Sequence, residues 1–133
     1  MMKTITVKQL FWPALALSFL TFICWIIIQA DLGQSIALSK LVRHLPFGDK
    51  VGHFLLYGIL AFLVNLALKN RKVIILGSQV LLGGTLVLAF ALLEECTQMA
   101  LSTRDFELWD MFCDLVGIVL FSWLALRVGD LEG

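Results

Sequence analysis

Three short patterns in this chain carry side chains suited to proton transfer. Asp49, His53 and Tyr57 recur every four residues, so on a helix they form one stripe. Glu95 and Gln98 are three apart and share a face. Asp110, Asp114 and Gly117 sit at i, i+4 and i+7, again one face. Around them stand Glu94, Arg104, Asp105 and Glu107, so residues 94–117 hold six of the ten carboxylates in the chain. An imidazole beside carboxylates exchanges protons near neutral pH, as a general base or acid. A lysine and an arginine close by, here Lys50 and Arg104, bind anions, the arginine through a bidentate fork.

Each residue also has a plainer role. Asp49 and Asp110 suit helix N-caps, Lys50 can reach toward lipid head groups, and Trp109 fits an interfacial aromatic. Tyr57 can simply pack with its hydroxyl hydrogen-bonded. Glu94 faces away from Glu95 on a helix and is expected at the rim. Arg104 with Asp105 and Glu107 can form an exposed pair of little energetic value. His53 and Asp114 are harder to explain in this way. His53 lies about one turn inside its segment, with Asp49 as its expected partner. Asp114 lies a further turn inside than Asp110 and needs a partner such as His53, Arg104 or a protonated neighbour. Ser102 and Thr103 have no adjacent base, so no nucleophile stands out. There is no His-x-x-x-His or cysteine pair with ligand spacing, so neither a metal nor a cofactor is expected.

The elements that position these residues follow from composition. The chain of 133 residues is 60% hydrophobic and 15% charged, against roughly 25% charged in soluble domains. Its mean hydropathy is +0.95. This is the profile of a single integral membrane domain, residues 1–133. With net charge zero and no basic run beyond Lys69–Lys72, nucleic-acid binding is excluded as a class. The odd count of three cysteines, Cys24, Cys96 and Cys113, argues against a disulfide framework and fits small buried apolar residues.

The expected fold is all-α: a four-transmembrane-helix bundle with spans over about 10–29, 50–68, 73–97 and 109–128. Each is long enough, or nearly so, to cross a hydrocarbon core of ~30 Å. The first is read as an uncleaved membrane helix, because its apolar stretch exceeds a signal peptide's and no small-x-small pattern follows it. Pro13 falls in its first turn, where a missing N–H does little harm. Leu38, Leu41, Val42 and Leu45 lie at i, i+3, i+4 and i+7, which suits a short interfacial helix between the first two spans or a connector helix packed on the bundle. Gly77, Gly83 and Gly84 would let another helix approach the third span closely.

In this topology both termini and the 69–72 turn share one side. That side carries Lys3, Lys8, Lys69, Arg71, Lys72 and Arg127, against Lys40, Arg43, Lys50 and Arg104 on the other. The bias favours cytoplasmic termini in a multi-pass cell-membrane protein. Asp49–His53, Glu94–Gln98 and Arg104–Asp114 then meet near the extracytoplasmic boundary. The inner half of the bundle is read as almost wholly apolar. Lipid cannot satisfy the polar stripes, so they are expected to face one another around a small polar cavity.

The blocks Asp49-Lys50-x-x-His53-Phe54-x-x-Tyr57, then Glu95-x-x-Gln98, then Arg104, Asp105, Asp110, Asp114 and Gly117 resemble, in this order, the VanZ-like family of small membrane proteins. The similarity covers roughly residues 46–124. Asp114 departs from it, since the family commonly has Asn there. The resemblance implies a cell-envelope context, the family's founding member being associated with low-level teicoplanin resistance; it implies no particular reaction.

Two classes of function fit the residues. In the first, the pocket acts on or binds a lipid, a lipid-linked envelope precursor or a glycopeptide. His53, Asp49, Glu95 and Asp114 are then the acid–base groups, with Lys50, Tyr57, Gln98, Arg104 and Asp110 holding the substrate. In the second, the stripes only hold the helices together in a non-catalytic scaffold that works through a partner protein. Transport fits poorly, because no polar path crosses the inner half.

Overall fold

The computed structural model describes residues 4, 6–34, 37, 40, 41, 44–101 and 107–132. Among these residues the chain forms four long helices and one β-hairpin: α1 (Val7–Asp31), α2 (Gly48–Ala67), β1 (Lys72–Ile75), β2 (Ser78–Leu81), α3 (Leu82–Ala100) and α4 (Leu108–Glu132). Three helices, α1, α2 and α4, are long and apolar enough to cross a membrane.

α1 begins at a capping box. The Thr6 hydroxyl accepts from the Gln9 amide, and the Gln9 side chain accepts from the Thr6 amide, satisfying two N–H groups the helix cannot pair itself. Pro13 is inside this helix, not in its first turn. The helix starts three residues earlier than expected and runs on through the proline, so the Gln9 carbonyl loses its i+4 donor. Of the connector, Leu38, Val42 and Arg43 lie outside the described residues; Ala37, Lys40 and Leu41 have helical backbone and are exposed.

The largest departure from expectation is at residues 72–81. The predicted third span began at residue 73, but this stretch is an antiparallel hairpin, with Ile75 paired to Ser78 and Lys72 to Leu81. Val73, Ile74 and Ile75 are β-branched and favour extended backbone. Leu76 and Gly77 both have positive φ, 52° and 81°, as a two-residue primed turn requires. Gly77 therefore serves the turn. A Cβ added there would meet nothing within 4 Å, so it is not a helix-contact glycine. α3 is left with 19 residues.

α2 is the central helix. It packs most extensively on α4 and also contacts α1 and α3. Ile23, Tyr57, Leu60, Ala61, Val87, Ala91 and Ile118 form the apolar core between the four helices. For helices that cross a membrane, lipid removes most of the hydrophobic drive for packing, and close contact and interhelical hydrogen bonds carry it. Small residues make the contact close. A Cβ at Gly117 would strike the Phe54 carbonyl oxygen, and one at Gly58 would strike the Phe121 ring. Gly83 and Gly84 act as expected: a Cβ at Gly83 would overlap Asn65.

That asparagine corrects the picture of an apolar inner half. Asn65 is fully buried. Its Nδ2 donates to the Ser122 hydroxyl at 2.8 Å, and its Oδ1 accepts from the Gly84 amide at 2.8 Å. One side chain thus ties α2, α3 and α4 together. Nearby, Lys69 and Asn70 adopt left-handed backbone (φ 55° and 54°) to end α2, and Asn70 Nδ2 donates to the Ala125 carbonyl at 2.9 Å.

Candidate functional site

The Gly58–Gly117 crossing brings α2 and α4 close together. One turn above it, His53 on α2 faces Asp114 on α4, with Nδ1 2.8 Å from the Asp114 carboxylate. Its other ring nitrogen stands 3.7 Å from Asp110. Asp110 and Asp114 thus flank the imidazole from one face of α4, as their i, i+4 spacing predicts. Both are buried, Asp114 to 1% exposure. The Tyr57 ring is stacked near His53, with centroids 6.0 Å apart, and lies against Phe90 of α3.

The expected Asp49–His53 pair does not form. Asp49 is exposed in the first turn of α2, where its charge favours the helix N-terminus. It is not the cap either: Phe47 holds that position in left-handed backbone, with no side-chain hydrogen bond. A four-residue spacing puts Asp49 on His53's side of α2, but the carboxylates that meet the ring come from α4. Asp110 is likewise no N-cap, since α4 starts at Leu108.

Lys50 is 2.5 Å from Glu107 and 3.5 Å from Asp110. Two carboxylates already engage its charge, which weakens its case as a free anion ligand. Glu107 is the partner that sequence reasoning missed; its spacing carries no signal, because it sits just before α4 and 57 residues from Lys50.

α3 contributes the third wall. Glu95 is 1% exposed, and among the described residues neither of its carboxylate oxygens has a hydrogen-bond partner. Glu94 is also buried, not at the rim, and accepts from the Gln98 amide group one turn on. Gln98 therefore binds Glu94, although it shares a face with Glu95. Arg104, with Ser102, Thr103 and Asp105, lies outside the described residues.

No ligand-spacing motif marks a metal site in the sequence, yet three candidate ligands converge in space. His53, Glu95 and Asp114 each present one potential ligand atom, and these atoms all lie within 4.8 Å of one another. Ligand-spacing motifs look along one helix; here three helices supply one group each. The three cysteines are free, with Cys96 exposed and Cys24 and Cys113 partly buried.

One surface groove lies apart from this cluster. It is shallow, apolar and lined by Leu115, Val116, Val119, Leu120 and Trp123 on the outer face of α4. Such a lining offers no polar group for chemistry.

Compared with models of known families, with curated proteins and with solved structures, the chain matches none.

Proposed function

We propose that this chain is a VanZ-like cell-envelope membrane protein whose buried polar cluster acts on, or holds, the head group of a lipid or lipid-linked envelope substrate. The observation that carries this reading is the setting of His53. Its ring is flanked by two buried carboxylates, Asp114 at 2.8 Å and Asp110 at 3.7 Å, with Glu95 buried beside it and without a partner among the described residues. Buried charge is costly in a membrane segment and marks function by default.

In this proposal all four helices cross the membrane. α3, at 19 residues, reaches about 28 Å, close to the hydrocarbon thickness. The basic turn at 69–72 and both termini are cytoplasmic, and the cluster opens to the extracytoplasmic side. His53 is the acid–base group, Asp114 orients its ring, and Glu95 is the second proton carrier. Arg104 binds the anionic head group, since Lys50 is engaged by Glu107 and Asp110.

The test is a deletion strain whose envelope lipids and lipid-linked precursors are profiled, with teicoplanin susceptibility as a second readout. Complementation by the wild type is expected to restore the profile. His53→Ala should not restore it at equal folded abundance. A profile unchanged by the deletion sinks the substrate class, and loss of folded abundance in His53→Ala would favour helix-holding scaffolding instead.

A further inference from the structure

The geometry points to a divalent metal site, of the zinc or manganese class, formed by His53, Glu95 and Asp114. This inference stands on the cluster alone; it leaves the proposed substrate class as it is and replaces the acid–base roles of His53 and Glu95 with metal ligation.

Three observations carry it. The first is distance. The three candidate ligand atoms lie within 4.8 Å of one another. An ion with bonds of about 2.1 Å holds its ligands about 3 to 4.2 Å apart, so small side-chain movements suffice. The 2.8 Å between His53 Nδ1 and Asp114 is already near the separation of two adjacent ligands.

The second is Glu95. Its side chain is almost wholly buried and belongs to the cluster, yet among the described residues neither oxygen has a partner. The second oxygen of Asp114 is likewise buried without one. Buried carboxylate oxygens normally find partners, and a cation supplies one for both. A dication with a neutral imidazole and two carboxylates forms a neutral unit, which suits a membrane interior better than bare charges do.

The third is the surrounding shell. A neutral ring with the metal on Nδ1 carries its one hydrogen on Nε2, where Asp110 stands at 3.7 Å, and any second ring proton is released to solvent. A carboxylate behind the ring is the usual way to orient a metal-bound histidine. The side chain of His53 remains 21% exposed, which leaves the ion a route in. Imidazole with two carboxylates favours zinc or manganese over calcium or magnesium. Three protein ligands leave a coordination position for a water or a phosphate oxygen.

The three ligands come from α2, α3 and α4, so a bound ion also ties these helices together. The test uses the full chain, purified in detergent, stripped with a chelator and titrated with Mn2+ or Zn2+ alone, without any lipid substrate. One ion should bind per chain and raise the melting temperature. Electron paramagnetic resonance of the Mn2+ form should show coupling to one imidazole nitrogen. Glu95→Gln and Asp114→Asn should weaken binding at least tenfold, and Asp130→Asn, at an exposed acid near the other end of α4, should not. No binding at millimolar metal, no nitrogen coupling in the wild type, or equal binding in Glu95→Gln would each overturn the site and leave an adventitious ion only. Because no substrate enters these measurements, their failure is separate from failure of the lipid reading.

Discussion

Two polar regions sit in the same bundle and obey opposite rules. Asn65 is buried, neutral and satisfied at both ends, by Ser122 and by the Gly84 amide. About twelve residues earlier on α2, or about 18 Å along the helix, the His53 cluster is buried, ionisable and unsatisfied. Among the described residues Glu95 has neither oxygen paired, and Asp114 has only one. Both regions join α2, α3 and α4. A region selected only to hold helices together needs no ionisable group and leaves no lone pairs idle. The Asn65 region fits that description; the His53 cluster violates it in both respects. The contrast separates a structural fastening from a site.

Three experiments test the contrast. The largest effect is expected where Asn65 meets the backbone of α3. Gly83→Leu places a side chain into Asn65 and must push α2 and α3 apart, because the obstacle includes main-chain atoms. Overpacking costs about 1–3 kcal/mol and occasionally more, and a main-chain obstacle puts Gly83→Leu at the upper end, so folded protein should be largely lost in a detergent-resistance or size-exclusion assay. A well-folded Gly83→Leu protein would mean that α2 and α3 do not approach so closely.

Removing the fastening itself should cost less. Asn65→Ala deletes two interhelical hydrogen bonds and strands the Gly84 amide and the Ser122 hydroxyl. Interhelical bonds in membranes are worth about 0.6 kcal/mol each, up to about 1.7, so a loss of roughly 1–3 kcal/mol is expected in reversible unfolding. No change in stability would remove the structural half of the comparison.

The smallest effect should have the opposite sign. With metal chelated, Glu95→Gln keeps the shape of the side chain and removes a buried carboxylate that has no partner among the described residues. Stability should then stay level or rise by about 1 kcal/mol, read from the same unfolding curves. A clear loss in chelator would show that Glu95 holds the helices together, and the two regions would no longer differ in kind.

The sequence exposes the periodicity of this site better than its partners. The phases of Asp110 and Asp114 are plain from spacing, and both do flank His53. The apolar lengths of α1, α2 and α4 are equally plain. The hairpin at 72–81 escaped notice because a continuous apolar run outweighs a short turn signal in a membrane-like composition. Yet Val73-Ile74-Ile75 followed by Leu76-Gly77 carried the β-branched run and turn glycine that would have revealed it. Asn65 was hidden for a different reason. One polar residue in an apolar helix shows no period, and its meaning depends on Gly83, Gly84 and Ser122 arriving from two other helices. The expected partner of His53 failed in the same way: spacing places Asp49 on the right side of α2 but says nothing of what α4 brings against the ring.

By itself, the sequence determined which residues share a face and which segments are too apolar for water, because both follow from the rise and pitch of a helix and from side-chain transfer energies. Tertiary structure alone decided that Asp114 rather than Asp49 pairs with His53, that Glu95 is buried without a protein partner, and that Asn65 binds three helices. Those outcomes depend on the rotation and axial offset of one helix against another. Such offsets are fixed by close contacts at Gly58, Gly83 and Gly117, and no periodicity within a single helix encodes them.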